Sequence, residues 1–470
     1  MELASAQPSQ RKKLRHFIGA VFALSIGILE SGQAIAAEAP LTPDQIAYYQ
    51  SGDENARVRL LIEMTHTGHL DAAKTLLKRF PLQGKLAENR TLFLEGLILE
   101  NRGQLNASTV KFRSALANDP KLTMVRAELA QVLARLDETD SAKHHLELLV
   151  AEAPSPEQAA GIRSFMQQLD ANHPLKFSGF VAVAPSTNIN LGSSHDTVYA
   201  PGLGGVGGAG SSWQIAPANQ KQSGTGITAG ANLGFAHHLG DHFQGVLAAG
   251  AVGTYYPTLS AATLGLSQSA ELRYLTTTGY LGLGGISSET IDPVNRALAY
   301  TSYGLRGSFE TMLTQRDQLA GSATFEFRNY PGGPASNGTA LMLSSVLTHA
   351  IDSSSNVALI LGYENVNQQI DFNSYHDGTL GLGFYKELPH GITLEGQATA
   401  RFAGFDGVNP LALVTRTDEN YTGSLTLTKR DWYFLGLAPS LNYTYTRNVS
   451  NIAVYDYDSH AVDVRLTKKF

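Results

Sequence analysis

The 470-residue chain contains no cysteine. Disulfides, thiolate nucleophiles and cysteine-ligated zinc or iron–sulfur centres are therefore excluded. Charge of one sign is also scarce: the net value is -6, and a chain without a basic excess offers no footprint for nucleic acid. Beyond the first thirty or so residues there is no stretch of about 18 apolar residues, so no spanning helix is expected there. If the mature chain enters a membrane, it must do so as a closed barrel, because lipid leaves no other way to satisfy every backbone polar group. No carboxylate pair, nucleophile–base arrangement or metal-ligand cluster has supporting context. The chain therefore reads as a non-enzyme without a cofactor.

The N-terminus has the layout of an export signal. Arg11, Lys12, Lys13 and Arg15 precede an apolar run over residues 17–29, and Ala34-Ile35-Ala36 supplies a small-x-small cleavage site. Residues 1–36 are expected to be a signal peptide, with Ala37 as the first mature residue. The residue after the cut is not cysteine, so the chain is not itself expected to be a lipoprotein.

Composition changes near Pro174. Of the 46 glycines, 37 lie in residues 175–470, together with 17 of the 19 tyrosines and both tryptophans, Trp213 and Trp432. Before that point the grammar is helical. Gly68-His69-Leu70-Asp71-Ala72 recurs 35 residues later as Gly103-Gln104-Leu105-Asn106-Ala107, and more weakly as Glu138-Thr139-Asp140-Ser141-Ala142. That period is close to the roughly 34 residues of a tetratricopeptide repeat. Leu92, Leu94, Leu97, Ile98, Phe112 and Leu116 suit the buried face of a helix pair. Residues 37–174 are expected to form a periplasmic domain of such repeats, an interaction module and not an active site.

After Pro174 the period falls to two. Leu319, Gly321, Ala323, Phe325 and Phe327 alternate with Ala320, Ser322, Thr324, Glu326 and Arg328. Ile392, Leu394, Ala398 and Phe402 oppose Thr393, Glu395, Gln397 and Arg401 in the same way. One face suits lipid and the other a polar lumen. Fourteen strands are expected in 175–470, the first over 175–191 and the thirteenth over 432–446 after a tight turn at Asp431. Connections should alternate strictly between long loops, the first being 192–223, and short turns, as in outer-membrane barrels. The expected fold class is multidomain α plus β: N-terminal tetratricopeptide-like helical repeats, then a 14-stranded antiparallel transmembrane β-barrel in the Gram-negative outer membrane. The terminal Phe470 resembles the signal read by the barrel-assembly machinery, although Lys468 departs from it.

Gly202-Leu203-Gly204-Gly205-Val206-Gly207 matches a dinucleotide fingerprint, but it sits in a Gly/Ser-rich segment with no strand before it and no helix after it. A flexible outer loop is the better reading. His237, His238 and His242 flank a short turn and read as interfacial polar residues, and His144-His145 reads as a solvated helix face. Nine charges fall on the polar face of the strands: Glu271, Arg273, Arg306, Glu310, Glu326, Arg328, Glu364, Glu395 and Arg401. They either cross-brace the lumen or line a conduit of mixed sign, which suits a polypeptide better than one small ion.

The order of signal, helical repeats and fourteen-strand barrel resembles the Slam family, the surface lipoprotein assembly modulators. The local resemblance lies at the barrel start, where Phe177-Ser178-Gly179-Phe180 leads into Pro185-Ser186-Thr187-Asn188-Ile189-Asn190. Asn188 and Asn190 there stand in an Asn-Val-Asn-like segment of the family, with Ile189 in the middle place. The resemblance implies an outer-membrane translocator that exports or surface-displays a client protein, either a surface lipoprotein or a soluble secreted protein. The helical repeats are implied to engage the client or periplasmic chaperones. An exopolysaccharide export porin, or a diffusion porin with a periplasmic interaction domain, are the alternatives.

Overall fold

The computed structural model describes residues 41–203, 212–430, 432 and 437–467. The expected signal peptide with its cleavage site, residues 204–207 of the glycine motif, Asp431, Lys468 and Phe470 lie outside the described residues.

Eight helices come first among the described residues: α1 (Pro43–Ser51), α2 (Glu54–His66), α3 (Leu70–Arg79), α4 (Ala87–Asn101), α5 (Leu105–Asn118), α6 (Thr123–Arg135), α7 (Thr139–Val150) and α8 (Pro156–Asn172). Caps mark their starts. Asp53 accepts from Ala56 N at 2.7 Å ahead of α2, and Ser155 caps α8, whose first residue is Pro156. The pairs α2–α3, α4–α5 and α6–α7 each turn on one left-handed residue: Gly68 (φ 85°), Gly103 (φ 73°) and Asp137 (φ 61°). The same backbone bond closes each turn, from His69 N to Met64 O, Gln104 N to Leu99 O and Glu138 N to Leu133 O. The third repeat therefore aligns on Asp137 and not on Glu138, a step of 34 residues from Gly103. Aspartate tolerates this backbone region better than most non-glycine residues, so the glycine pattern fades in sequence while the turn persists. Ala73, Ser108 and Ala142, at equivalent places in the second helices, are fully buried. Gly96 shows why small residues are needed: a Cβ there would lie 2.3 Å from the ring of buried Phe112. Leu94, Leu97, Ile98, Phe112 and Leu116 are buried as expected, and Leu92 packs beside them.

The remaining strands close a barrel. β1 (Leu175–Ser186) hydrogen-bonds β4 (Gly224–His238) on one side and β16 (Tyr457–Thr467) on the other. Between them run β5 (Phe243–Tyr256), β6 (Ala261–Leu275), β7 (Gly279–Asp292), β8 (Ala297–Met312), β9 (Asp317–Asn329), β10 (Gly338–Asp352), β11 (Ser355–Gln368), β12 (Tyr375–Leu388), β13 (Ile392–Val408), β14 (Thr415–Lys429) and β15 (Ala438–Ser450). All pair antiparallel in chain order, giving fourteen strands in one closed sheet. Two short strands, β2 (Thr197–Tyr199) and β3 (Ser212–Gln214), form a separate hairpin within the first loop.

Alternation assigns the faces as expected. Phe325 and Phe327 are exposed on the outside while Thr324 and Glu326 between them are buried. The outer band is aliphatic, with aromatic residues toward each rim, such as Phe177, Phe235 and Tyr274 at one end and Tyr303, Phe327 and Tyr363 at the other. Such girdles mark the two membrane interfaces.

Three expectations about boundaries are corrected. The first strand stops at Ser186 and not at 191, because Asn188 turns inward to hold the loop. The thirteenth begins at Ala438 and not at 432, so the connection after Lys429 is longer than a turn at Asp431 alone. The strict long–short rhythm also fails, since 257–260 and 293–296 are as brief as the turns at the opposite end. The sequence carries its own reasons. Pro257 starts a 3₁₀ turn that ends on left-handed Ser260, and Asp292 accepts from Val294 N and Asn295 N, both at 3.0 Å, in an Asx turn.

Candidate functional site: the lumen and its helical cover

The nine charges singled out on the polar face have strand-mates that face outward, so they point into the barrel. Most are paired. Arg328 bridges Glu326 at 2.6 Å and Glu364 at 2.8 Å. Glu364 then reaches Arg401 at 4.0 Å, and Arg401 binds Asp377 at 2.7 Å. Tyr300 and Tyr375 donate to Glu326 and Glu364 at 3.3 and 3.2 Å. The ladder continues through Arg416 with Asp418 and through Arg447 with Asp456. This cross-bracing stiffens the wall from β8 to β15. Glu271 holds Arg273 at 2.7 Å and accepts from Ser308. Glu310 accepts from Gln318 at 2.8 Å. Arg306 is exposed to the lumen, and Glu395 lines a cavity at the end where β1 begins.

The opposite wall is thin. β4 and β5 carry Gly226, Gly230, Gly234, Gly245, Gly250 and Gly253 with alanines between them. Alternation is weak there because glycine and alanine separate the few large outward side chains, such as Ile227, Leu233 and Leu247.

At the end where β1 starts, the helical domain lies against the barrel turns. Arg126 of α6 and Glu387 of β12 are fully buried and meet at 2.5 Å. Arg430 binds the same carboxylate at 2.8 Å, and Tyr385 donates to it at 3.0 Å. Arg126 also donates to Pro120 O at 2.6 Å and faces His145 Nδ1 at 3.1 Å. Burial, then the Arg126 charge, hold the His145 imidazole well below its usual range, so Nδ1 serves as acceptor. Further contacts follow the same rim. Lys121 meets Asp352 at 2.9 Å, Gln315 donates to Val150 O at 3.1 Å, His144 meets Tyr385 at 3.1 Å, and His390 N donates to Ala117 O. The reading of His144-His145 as a solvated helix face is thus corrected: the pair packs into this interface.

The contacts fall on the turns between β8 and β15. Beside these contacts, α7 and α8 enclose a cavity of about 810 Å³ at the barrel mouth, with strand residues from β4 to β13 in its walls. Its lining includes Lys143, Glu147, Arg163 and Gln167 from the helices, and Gln244, Arg273, Glu310 and Glu395 from the strands. Lys143 and Lys176 both hold Asp170 at 2.7 Å. Burial alone would raise that carboxyl, but the two ammonium groups outweigh it and lower it.

The Asn188/Asn190 motif is structural. Asn188 is 2 % exposed, donates to Gly192 O and Asp458 O at 2.9 and 3.0 Å, and accepts from Gly192 N at 2.9 Å. Asn190 donates to Ala218 O and Gln220 O at 3.0 and 2.8 Å. Asn190 thus joins the two arms of the first loop, and Asn188 ties the loop to the start of β16. The loop then crosses to the β13–β14 connection: Gly202 N donates to Leu411 O at 3.0 Å, and Val198, Ala200 and Ile215 bury against Leu411, Ala453 and Val454. The expectation of a flexible loop is corrected for its described part, which is hydrogen-bonded and has a small core. His237 and His242 lie against Phe235 and Tyr274 at the rim.

Sequence reasoning missed Arg126, Tyr385, Glu387, Arg430 and Asp377. Asp377, Tyr385 and Glu387 share the inward parity of β12, and Arg126 interrupts an otherwise apolar helix face between Leu122 and Leu129. Those signals were present, but only the docked domain shows that they meet.

The family model of the surface lipoprotein assembly modifiers matches residues 176–470. The chain belongs to this family. Surface lipoprotein assembly modifier 2 of Haemophilus influenzae is 24% identical, with 88% of this chain and 84% of that protein covered. A surface lipoprotein assembly modifier of Pasteurella multocida is 20% identical over 88% and 82%. Among solved structures, the channel DcaP of Acinetobacter baumannii is similar at a TM-score of 0.36, with 11% identity, 62% of this chain and 96% of that one covered. A FadL homologue of Pseudomonas aeruginosa gives 0.35, 12%, 62% and 89%. As a closed barrel with an apolar outer band, this family member is an outer-membrane protein.

Proposed function

We propose that the protein is a translocator that moves a surface lipoprotein client across the outer membrane, with its helical domain, residues 37–174, on the periplasmic side. The observation that carries this reading is the position of that domain: its helices lie on the barrel turns at one mouth and enclose there a cavity whose lining carries charges of both signs. A passive pore gains nothing from such a cover. Stacked helix pairs present surfaces suited to protein segments, and holding a client beside the mouth raises its local concentration there. The mixed charges of the lumen suit a chain of varied sequence. Periplasmic chaperones are proposed to deliver the client, the barrel-assembly machinery to insert the barrel, and lipid to surround its apolar band. The client can equally be a soluble secreted protein.

The test co-expresses the protein with a surface lipoprotein encoded near its gene and labels intact cells for that client. Surface label that requires the full chain supports the reading. If deleting the gene changes only small-solute permeability and leaves client display intact, the reading fails.

A further inference from the structure

The cavity between α7–α8 and the lumen wall contains polar groups that the fold itself does not use. Nε and Nη1 of Arg163 are shielded from solvent and have no hydrogen-bond partner among the described residues. Buried guanidinium nitrogens are rarely left so, because each lost hydrogen bond to a charged group is costly. Asp170, on the same helix, is already taken by Lys143 and Lys176, each at 2.7 Å. Across the cavity, Gln244 at the foot of β5 is 9% exposed, and among the described residues its side-chain amide makes no hydrogen bond. Gln167 adds a further amide to the same walls, whereas the amide groups of Gln315 and Gln318 there already donate to Val150 O and Glu310.

We propose that this cavity is a docking site for an extended polypeptide segment, anchored by a carboxylate on Arg163 and by backbone hydrogen bonds to the amides of Gln244 and Gln167. Three features select this occupant. The volume of about 810 Å³ falls in the roughly 300–1,000 Å³ range of ligand pockets, enough for a short stretch of chain. The lining amides both donate and accept, as an extended backbone does. Lys143, Lys176 and Arg273 share the cavity with Glu147, Glu310 and Glu395, so neither sign dominates and a segment is held by one carboxylate at Arg163 and by its backbone, not by net charge. The carboxylate has two sources, an Asp or Glu side chain or the C-terminus of the segment. The site opens on the lumen beside Arg273, so a segment held there is already at the start of the barrel path. The inference rests on the translocation reading and names where the client first engages.

The experiment uses the full chain purified in detergent and follows fluorescence anisotropy of labelled hexapeptides: glutamate–alanine alternating, the same peptide with an amidated C-terminus, and lysine–alanine alternating. The acidic peptide binds and the lysine peptide binds at least about tenfold more weakly. Arg163→Gln weakens acidic-peptide binding by about tenfold or more, while Arg163→Lys retains part of it. Loss of binding on amidation assigns the chain terminus, and its retention assigns side-chain carboxylates. Gln167→Trp, at an exposed helix position, fills the cavity and lowers binding even if Arg163 variants fold poorly; retention of the folded barrel on unheated gels is the control for each variant. Equal binding of acidic and lysine peptides, or acidic binding unchanged in both Arg163→Gln and Gln167→Trp, overturns the proposal. Neither result touches client display in cells, so failure here is separable from failure of the translocation reading.

Discussion

Arg126 and Glu387 are 261 positions apart in the chain, are both inaccessible to solvent, and meet at 2.5 Å where helix α6 touches strand β12. Two guanidinium groups share that carboxylate, Arg126 from the helical domain and Arg430 from the barrel. The pair fixes the angle at which the helices lie on the barrel mouth.

Removing the charge from Glu387 leaves two buried guanidinium groups facing a neutral amide. Loss of one partner of a buried pair costs about 3–5 kcal/mol. Glu387→Gln is expected to loosen the docked helical domain without opening the barrel. Limited proteolysis should cut residues 41–172 faster, while the barrel keeps its folded mobility on unheated gels. Arg126→Met, which removes the opposite charge, should do the same to a lesser degree, because Arg430 still neutralises Glu387.

Asn188 makes its hydrogen bonds to backbone groups of the first loop and of β16. Asn188→Ala leaves those groups unsatisfied at a cost of about 1–3 kcal/mol. The expected result is a first loop that external protease cleaves on intact cells at a higher rate than in the unmodified protein. An unchanged rate would show that Asn190 and the small core around Ile215 hold the loop alone.

Glu128, on α6, is pushed up to about 8 by burial and by the nearby Glu100. Its folded state therefore holds a proton that the unfolded chain releases near the usual carboxylate value. The contribution of Glu128 to the stability of the helical domain is then fully present below about pH 4.5 and is lost as pH rises toward 8, since the native state binds one more proton in that window. Glu128→Gln should raise the melting temperature of the helical domain at pH 8.5 by several degrees and change it little at pH 5. Thermal unfolding followed by circular dichroism at both values decides this.

Much of the architecture was legible because two periods write it. Alternation in β9 and β13 set lipid against lumen, and Gly68 and Gly103 set the repeat. What was illegible has physical causes. Strands β4 and β5 carry glycine and alanine on both faces, so alternation has little to contrast. The third repeat hides its turn because Asp137 fills the left-handed position. The loop 192–223 looked structureless by composition, yet its order comes from Asn188 and Ile215 meeting residues more than a hundred positions away and from Asn190 joining its two arms. The interface at Glu387 needs two domains at once, and no local pattern in one of them reports it.

The position of the helical domain sets the last expectation. A segment passing from the chamber into the lumen has to move beside helices that touch the turns between β8 and β15. If that cover swings during transport, locking it should stop export. His390 N donates to Ala117 O across the interface, which places the two residues close enough for a disulfide, and the chain has no other cysteine to compete. The double variant Ala117→Cys/His390→Cys, oxidised in the periplasm, is expected to abolish client display, and a reductant should restore it. Each single variant should export normally. If the oxidised double variant displays the client at the unmodified level, the cover does not need to move, and the path must run through the cavity as it stands.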